Sequence, residues 1–526
     1  MATPLLRLSF RHSQMRKTIG LAVAAVAAIA SLDLTVPSLG AQAPGVGLSS
    51  SSGSSLGTPV DAEGAYAYSK SRWSDDLAAM VSFRPGYAFW QHIFTIPDNF
   101  IAFGSAVDGR LLAVFPTKGD WAREAVWYDD RAKGLLAGRQ LARRLDDRRE
   151  QVAALLEPLV GPVVHNPTRG QFVLPQARRY GSFLKEWAAI YERFGVPGEI
   201  GLAQAAIESG FHPTRRSAAR AVGFCQWLLT NWRRLNRLSP HEIEGYNQTT
   251  QAPYCAAYLT ILATKYGSFI PALSEHHSGG TNVGRTLISG ERLGGTSVRD
   301  QYFLGSQFAR DVRRISLYRY RDIYRTYGPR SYLYSEMVFG NTFTVNVLTA
   351  ETPQTRIYAM RALRPIPLAE ITRRTGLSAD EVRRFNPALQ TRVPARGTVY
   401  LPMYVEEFGP DVSFWHRPPS ESFASVLSEF VRLDAGQEQW DDASFEPVLR
   451  AFETRFAQTN TEEGTVMATV LAYAIDDAQT SGRRAILAEY RESEKIQHLF
   501  EAALEHRTAD AAAVAKTSLE PEDSTR

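Results

Sequence analysis

The chain has 526 residues, more than one hydrophobic core accommodates, so two to four domains are expected. Lys and Arg number 59 against 55 Asp and Glu, a net charge of +4. That balance excludes a strongly basic nucleic-acid binder, and arginine pairs such as Arg143-Arg144 and Arg148-Arg149 are interleaved with acids as on a solvated helix face.

At the N-terminus Arg7, Arg11, Arg16 and Lys17 precede an apolar run from Ile19 to Leu32 and then small residues. This order is that of a secretory signal peptide, expected over residues 1–40. The run is about 14 residues, short of the roughly 20 a membrane-spanning helix needs. Cleavage is expected after Gly40, because the alternative at Ala41-Gln42-Ala43 would leave Pro44 beside the cut. With no cysteine near that point, the mature protein is expected to be exported to the periplasm as a soluble protein without a lipid anchor, free or associated with the cell wall.

A Gly/Ser-rich linker is expected over 41–64 and a mixed α/β accessory region over 65–175. There "FWQHIFTIPDNFIAFGSAVDGRLLAVFP" reads as alternating strands, bounded by Pro97 and Asp108-Gly109. Leu141, Leu145, Val152, Leu155, Leu156 and Leu159 then lie on one helical stripe. From Phe183 a firm helical period follows: Leu184, Trp187, Ile190, Tyr191 and Phe194. Gly195 and Pro197 end that helix and open the next, which buries Ile200, Ala203 and Ile207, reaches Glu208, and breaks at Gly210 and Pro213. A helix around Ala252 to Tyr266 and the Gly-rich turn "HHSGGTNVG" come later.

Beyond Phe343 the composition changes. Residues 367–402 read helix, Gly turn, helix, strand, with Ser378 and Glu381 as a capping box. Amphipathic helices are expected over 415–505 and a disordered tail over 506–526.

Glu208 is the residue with chemical promise. It sits at a helix C-terminus beside Ala205, Ala206, Ile207 and Phe211, and both the helix dipole and the apolar surroundings raise a carboxyl pKa, as a general acid requires. By periodicity alone an exposed helix-end glutamate is the better reading. Cys225 and Cys255, about thirty residues apart, either pair in an oxidising compartment, stabilising the fold by roughly 3 kcal/mol, or remain two small buried side chains. Neither carries metal-ligand spacing, and no metal or other cofactor is expected.

The stretch "ESGFHPTRRSAARAVGFCQWLL" resembles the start of the catalytic domain of family 1 lytic transglycosylases, the soluble-lytic-transglycosylase and goose-lysozyme-like group. Glu208, Ser209, Phe211, Pro213, Ser217, Ala221, Gly223 and Gln226 fit its pattern in one frame. The preceding "YERFGVPGEIGLAQAAI" is similar to the membrane-bound transglycosylase D branch. Departures are Arg220 for Gly, Cys225 for Trp, and "SEHHSGGTNVG" for A-[AE]-Y-N-A-G-x-G, which puts His276 and His277 at the places of its Tyr and Asn.

The resemblance implies a mainly α protein with a lysozyme-like helical catalytic domain over 176–335. It also implies cleavage of the bond between N-acetylmuramic acid (MurNAc) and N-acetylglucosamine (GlcNAc) in peptidoglycan. Glu208 is then the catalytic acid, and Ser209, Ser217, Gln226, His276 and His277 are the substrate-binding set. His276 stands where a tyrosine hydroxyl faces the acid; it could donate a hydrogen bond and titrate in the working range, serve as a packed residue, or ligate a metal. The segment ending "NPALQTRVPARGTVYLP" resembles a LysM-like βααβ glycan-binding unit, expected over 340–405, with Asn386, Pro387, Gly397 and Leu401-Pro402 in pattern. Peptidoglycan glycan strands are the expected partner and nucleic acid is not; the C-terminal helices are the candidate surface for a cell-wall protein. Two other readings remain: a lysozyme-like hydrolase using Glu275 as second acid, and a catalytically weak peptidoglycan-binding scaffold.

Overall fold

The computed structural model describes residues 62–408, apart from 194, 229–244, 325–330 and 396. The expected signal peptide, the linker up to 61, the C-terminal helices and the tail lie outside the described residues. Within them the protein is mainly helical, with small antiparallel sheets.

The chain begins with α1 (Ala62–Phe83) and α2 (Trp90–Thr95). The strand reading of "FWQHIFT" is therefore wrong. Its aromatic composition suits a strand, but Trp90, Ile93 and Phe94 are buried together from one short helix that ends before Pro97. The remainder forms β1 (Phe100–Ser105), β2 (Leu111–Pro116), β3 (Val126–Trp127) and, after α3 (Leu145–Val160), β4 (Val163–Pro167). These make one antiparallel sheet in the order β3-β2-β1-β4, with Asp108-Gly109 in the β1–β2 turn. Side-chain alternation sends Ile101, Phe103 and Phe115 toward α3, and Ala102 and Val114 toward the main helical core. Both faces are thus covered, which is why β2 is buried along its whole length. The accessory region is split between two cores, since Met80, Tyr87 and Trp90 also join the main helical cluster.

The main core is built by α4 (Gly170–Tyr180), α5 (Leu184–Arg193), α6 (Gly198–Ser209), α7 (Gln248–Tyr266), α8 (Phe269–Ser278), α9 (Gly280–Arg292), α10 (Val298–Ile315) and α11 (Tyr334–Glu351). The short hairpin β5–β6 (Ala221–Val222, Trp227–Leu228) follows α6. The Gly-rich "turn" is a junction of two helices pivoting on Gly279, whose φ of 82° admits glycine readily. Asp76 of α1, fully buried, accepts from the Ser268 hydroxyl (2.7 Å) and the Phe269 amide (2.6 Å) and pairs with Arg299 (2.6 Å), tying α1 to the head of α8.

The boundary expected between 335 and 340 falls inside α11, whose Val338, Phe339 and Val345 belong to the main core. The βααβ unit begins later: β7 (Tyr358–Arg361), β8 (Ile366–Pro367), α12 (Leu368–Thr375), α13 (Ala379–Phe385), β9 (Arg392–Val393) and β10 (Thr398–Leu401), with β10 antiparallel to β7. The Ser378–Glu381 capping box forms in both directions. Asn386 is buried and latches α13 to β10, donating to the Tyr400 carbonyl (2.7 Å) and accepting from its amide (2.9 Å). The unit docks on α7, where Asn247 donates to the Phe385 carbonyl (2.7 Å) and Thr250 meets the Tyr400 hydroxyl (2.6 Å).

Candidate active site

Helix α6 exists to carry one carboxylate to a defined place. Pro197 opens it, nine of its residues are buried, and Gly210 ends it in the left-handed region (φ 63°), its amide turned back to the Ala205 and Ala206 carbonyls. Gly201 lets Tyr191 of α5 approach so closely that a Cβ would sit 2.1 Å from its ring. Glu208 emerges in the last turn with a side chain 13 % exposed, enclosed yet reachable.

Three groups converge on its Oε1. The Tyr334 hydroxyl is 2.5 Å away, His276 Nε2 3.7 Å and His277 Nδ1 3.9 Å. Of these three contacts to Oε1 only the first is short enough for a hydrogen bond. His277, 37 % exposed at its side chain, lies parallel on the Tyr334 ring at 4.5 Å and 6°. His276 is buried, and its Nε2 lies 3.0 Å from the Cys225 carbonyl. A neutral ring therefore donates Nε2–H to that carbonyl and has no second donor for Glu208 on the same nitrogen. The donor role expected of His276 belongs to Tyr334. No local pattern pointed to Tyr334, which stands 126 residues downstream.

The electrostatics also differ from expectation. Burial pushes the Glu208 carboxyl up, but His277, the charge of His276 and the Tyr334 hydroxyl together outweigh it and leave the group below the ordinary glutamate value. Burial pushes His276 below its ordinary value too, with Glu208 opposing, so its protonation belongs below the usual histidine range. Burial, then Glu208, lifts the Tyr334 phenol well above its usual value, so it stays protonated. Tyr334→Phe removes a donor that favours the ionised carboxylate. The Glu208 pKa should therefore rise in that variant, as followed by carbon-13 NMR of its carboxyl; an unchanged or lower value contradicts the contact.

The remaining candidates surround this centre unequally. Ser209 is buried and gives its hydroxyl to the Ala205 (3.0 Å) and Phe224 (2.9 Å) carbonyls, so it pins the hairpin to the helix end and does not face a ligand. Ser217 is exposed, and its hydroxyl accepts from the Ala221 amide (3.0 Å) within a tight turn. Gln226 has a positive φ of 53°, a strained conformation for a non-glycine residue. Its Nε2 donates to the Arg215 (2.8 Å) and Gly223 (3.1 Å) carbonyls, while its amide oxygen takes no hydrogen bond among the described residues. Gln251 holds the hairpin from α7, accepting from the Phe224 amide (2.6 Å) and donating to the Pro213 carbonyl (3.1 Å). Cys225 and Cys255 are bonded, which closes the open alternative in favour of the pair.

Glu275 is buried in α8, where it accepts from the Tyr266 hydroxyl. Among the described residues no group of three or more His, Cys, Asp or Glu could hold a metal ion. What the site offers chemically is one enclosed carboxyl able to give and take a proton, with a phenol that can accept from its acid form and donate to its ionised form.

The sequence matches no protein-family model and no curated protein significantly.

Proposed function

We propose that the chain is a periplasmic peptidoglycan lytic transglycosylase with a lysozyme-like catalytic region, cleaving the MurNAc–GlcNAc β-1,4 bond and leaving 1,6-anhydro-MurNAc ends. The observation that carries this reading is a single enclosed carboxyl, Glu208, standing in the E-S-x-F-x-P frame with the Tyr334 hydroxyl on its Oε1. Protonated Glu208 gives its proton to the bridging oxygen as the glycosidic bond breaks. The sugar's own N-acetyl group steadies the cationic anomeric carbon. The Glu208 carboxylate then takes the proton of the C6 hydroxyl, whose oxygen closes on that carbon. Glu208 ends protonated, and no water is consumed.

Substrate lying over the exposed edge of Glu208 removes water and pushes its pKa up, against the downward pull of its neighbours. The amide oxygen of Gln226, without a hydrogen bond among the described residues, suits an acetamido N–H. The βααβ unit, resembling LysM, holds the glycan chain. The hydrolase alternative wants a second carboxylate at the cleft, whereas Glu275 is buried against Tyr266.

Purified sacculi incubated with the full-length protein should release soluble muropeptides. Binding to sacculi without release would instead mark a peptidoglycan-binding scaffold.

A further inference from the structure

A group of cations beside the site has no carboxylate partner among the described residues. Arg215 follows Glu208 by seven residues, and its guanidinium lies 3.8 Å from the centre of the Phe172 ring. Arg169, preceding α4, places its guanidinium 5.7 Å from the centre of the same ring. Arg179 lies in the last turn of α4, and His212 is within reach of the charges of Arg215 and Arg179. None of the three arginines has a carboxylate within salt-bridge distance among the described residues. Asp98, at the head of α4, accepts from the Gln171 amide (2.9 Å) and bonds no arginine among the described residues.

Arg169 and Arg179 are exposed and Arg215 and His212 half-buried, so the group forms a like-charged patch at the surface beside the site. Burial, then Arg169, pushes the Arg215 guanidinium below its usual value. Burial, then Arg215 and Arg179, does the same to His212. Like charges gathered without counter-ions disfavour the folded state, and a bound anion reverses the sign of that effect. The group is also fixed to the site. The Phe172 carbonyl lies 2.2 Å from where a Cβ on Gly210 would be, two residues past Glu208. The Arg215 carbonyl is held by the Gln226 amide (2.8 Å) and the Gly223 amide (3.0 Å). Planar guanidinium forks are suited to carboxylates, and Phe172 holds two of them on one ring.

We propose that Arg169, Arg179, Arg215 and His212 form a subsite for the free carboxylates of the peptidoglycan stem peptide, so that the protein prefers glycan strands bearing peptides. The inference rests on the peptidoglycan reading above and adds to it a substrate class: peptide-substituted strands rather than bare ones.

Binding of a disaccharide-tetrapeptide muropeptide and of the same disaccharide without peptide is measured calorimetrically on the full chain, alongside turnover of peptide-bearing and amidase-stripped strands. The wild type should bind the peptide form roughly tenfold more tightly, the size of one charge-assisted contact, and the preference should shrink with salt. Arg169→Gln/Arg179→Gln should erase the preference while leaving turnover of stripped strands unchanged, and Arg215→Gln should weaken the peptide form alone. Equal wild-type affinity for the two disaccharides overturns the subsite, and so does a preference that survives all three substitutions. Binding of anionic lipid vesicles through these arginines, with no muropeptide preference, overturns it in favour of a membrane surface. Muropeptide preference without turnover of either strand leaves the subsite standing and removes the transglycosylase reading.

Discussion

Glu208→Gln should fold as the parent does and lose muropeptide release by roughly 10²–10⁴-fold or more, the span general acid catalysis commands. The amide is isosteric and can still meet the Tyr334 hydroxyl, so the short contact across 126 residues survives. What it lacks is a proton of usable acidity. The same substitution also removes the base for the second half of the reaction, so neither half is rescued by changing pH. Equal melting curves for the two proteins, with release measured from the same sacculi, make the comparison. Substantial turnover by the purified Gln protein would remove Glu208 from its role.

The second large effect is on stability. The bond between Cys225 and Cys255 closes a loop with a sequence separation of 30, and such a loop in the chain-entropy model contributes about 3 kcal/mol. Both sulfurs are in the main core, and the Cys225 carbonyl carries the His276 hydrogen bond. Cys255→Ser should therefore lower the melting temperature of the protein prepared without reductant, and reductant should lower that of the wild type but not of the variant. Two titratable thiols in the native protein prepared without reductant would contradict the bridge.

The sequence made α6 legible because every signal there is local: Pro197 before it, Gly210 after it, and buried Ile200 and Ala203 between. The Ser378–Glu381 box was legible for the same reason. Segment "FWQHIFT" misled because its strand-like composition competes with a tertiary demand: Trp90 must pack where Gly340 of α11 leaves room, 2.9 Å from an imagined Cβ. Tyr334 was illegible because only the packing of α11 against α6 brings its hydroxyl to Glu208, and no periodicity encodes that. The direction of the Glu208 pKa failed with it. The helix end and apolar neighbours could be read, but the opposing groups arrive from α8 and α11. Ser209 and Ser217 sit in the right motif, yet their hydroxyls serve the backbone that shapes the site.

The fate of water at the cleaved bond separates ring closure by the C6 hydroxyl from hydrolysis. Sacculi digested by the wild-type protein in heavy-oxygen water should give muropeptides that carry no heavy oxygen and are lighter by one water than the corresponding reducing-end products. One heavy oxygen at the MurNAc end of each product would show that water, not the C6 hydroxyl, attacks the anomeric carbon, and would contradict the transglycosylase account.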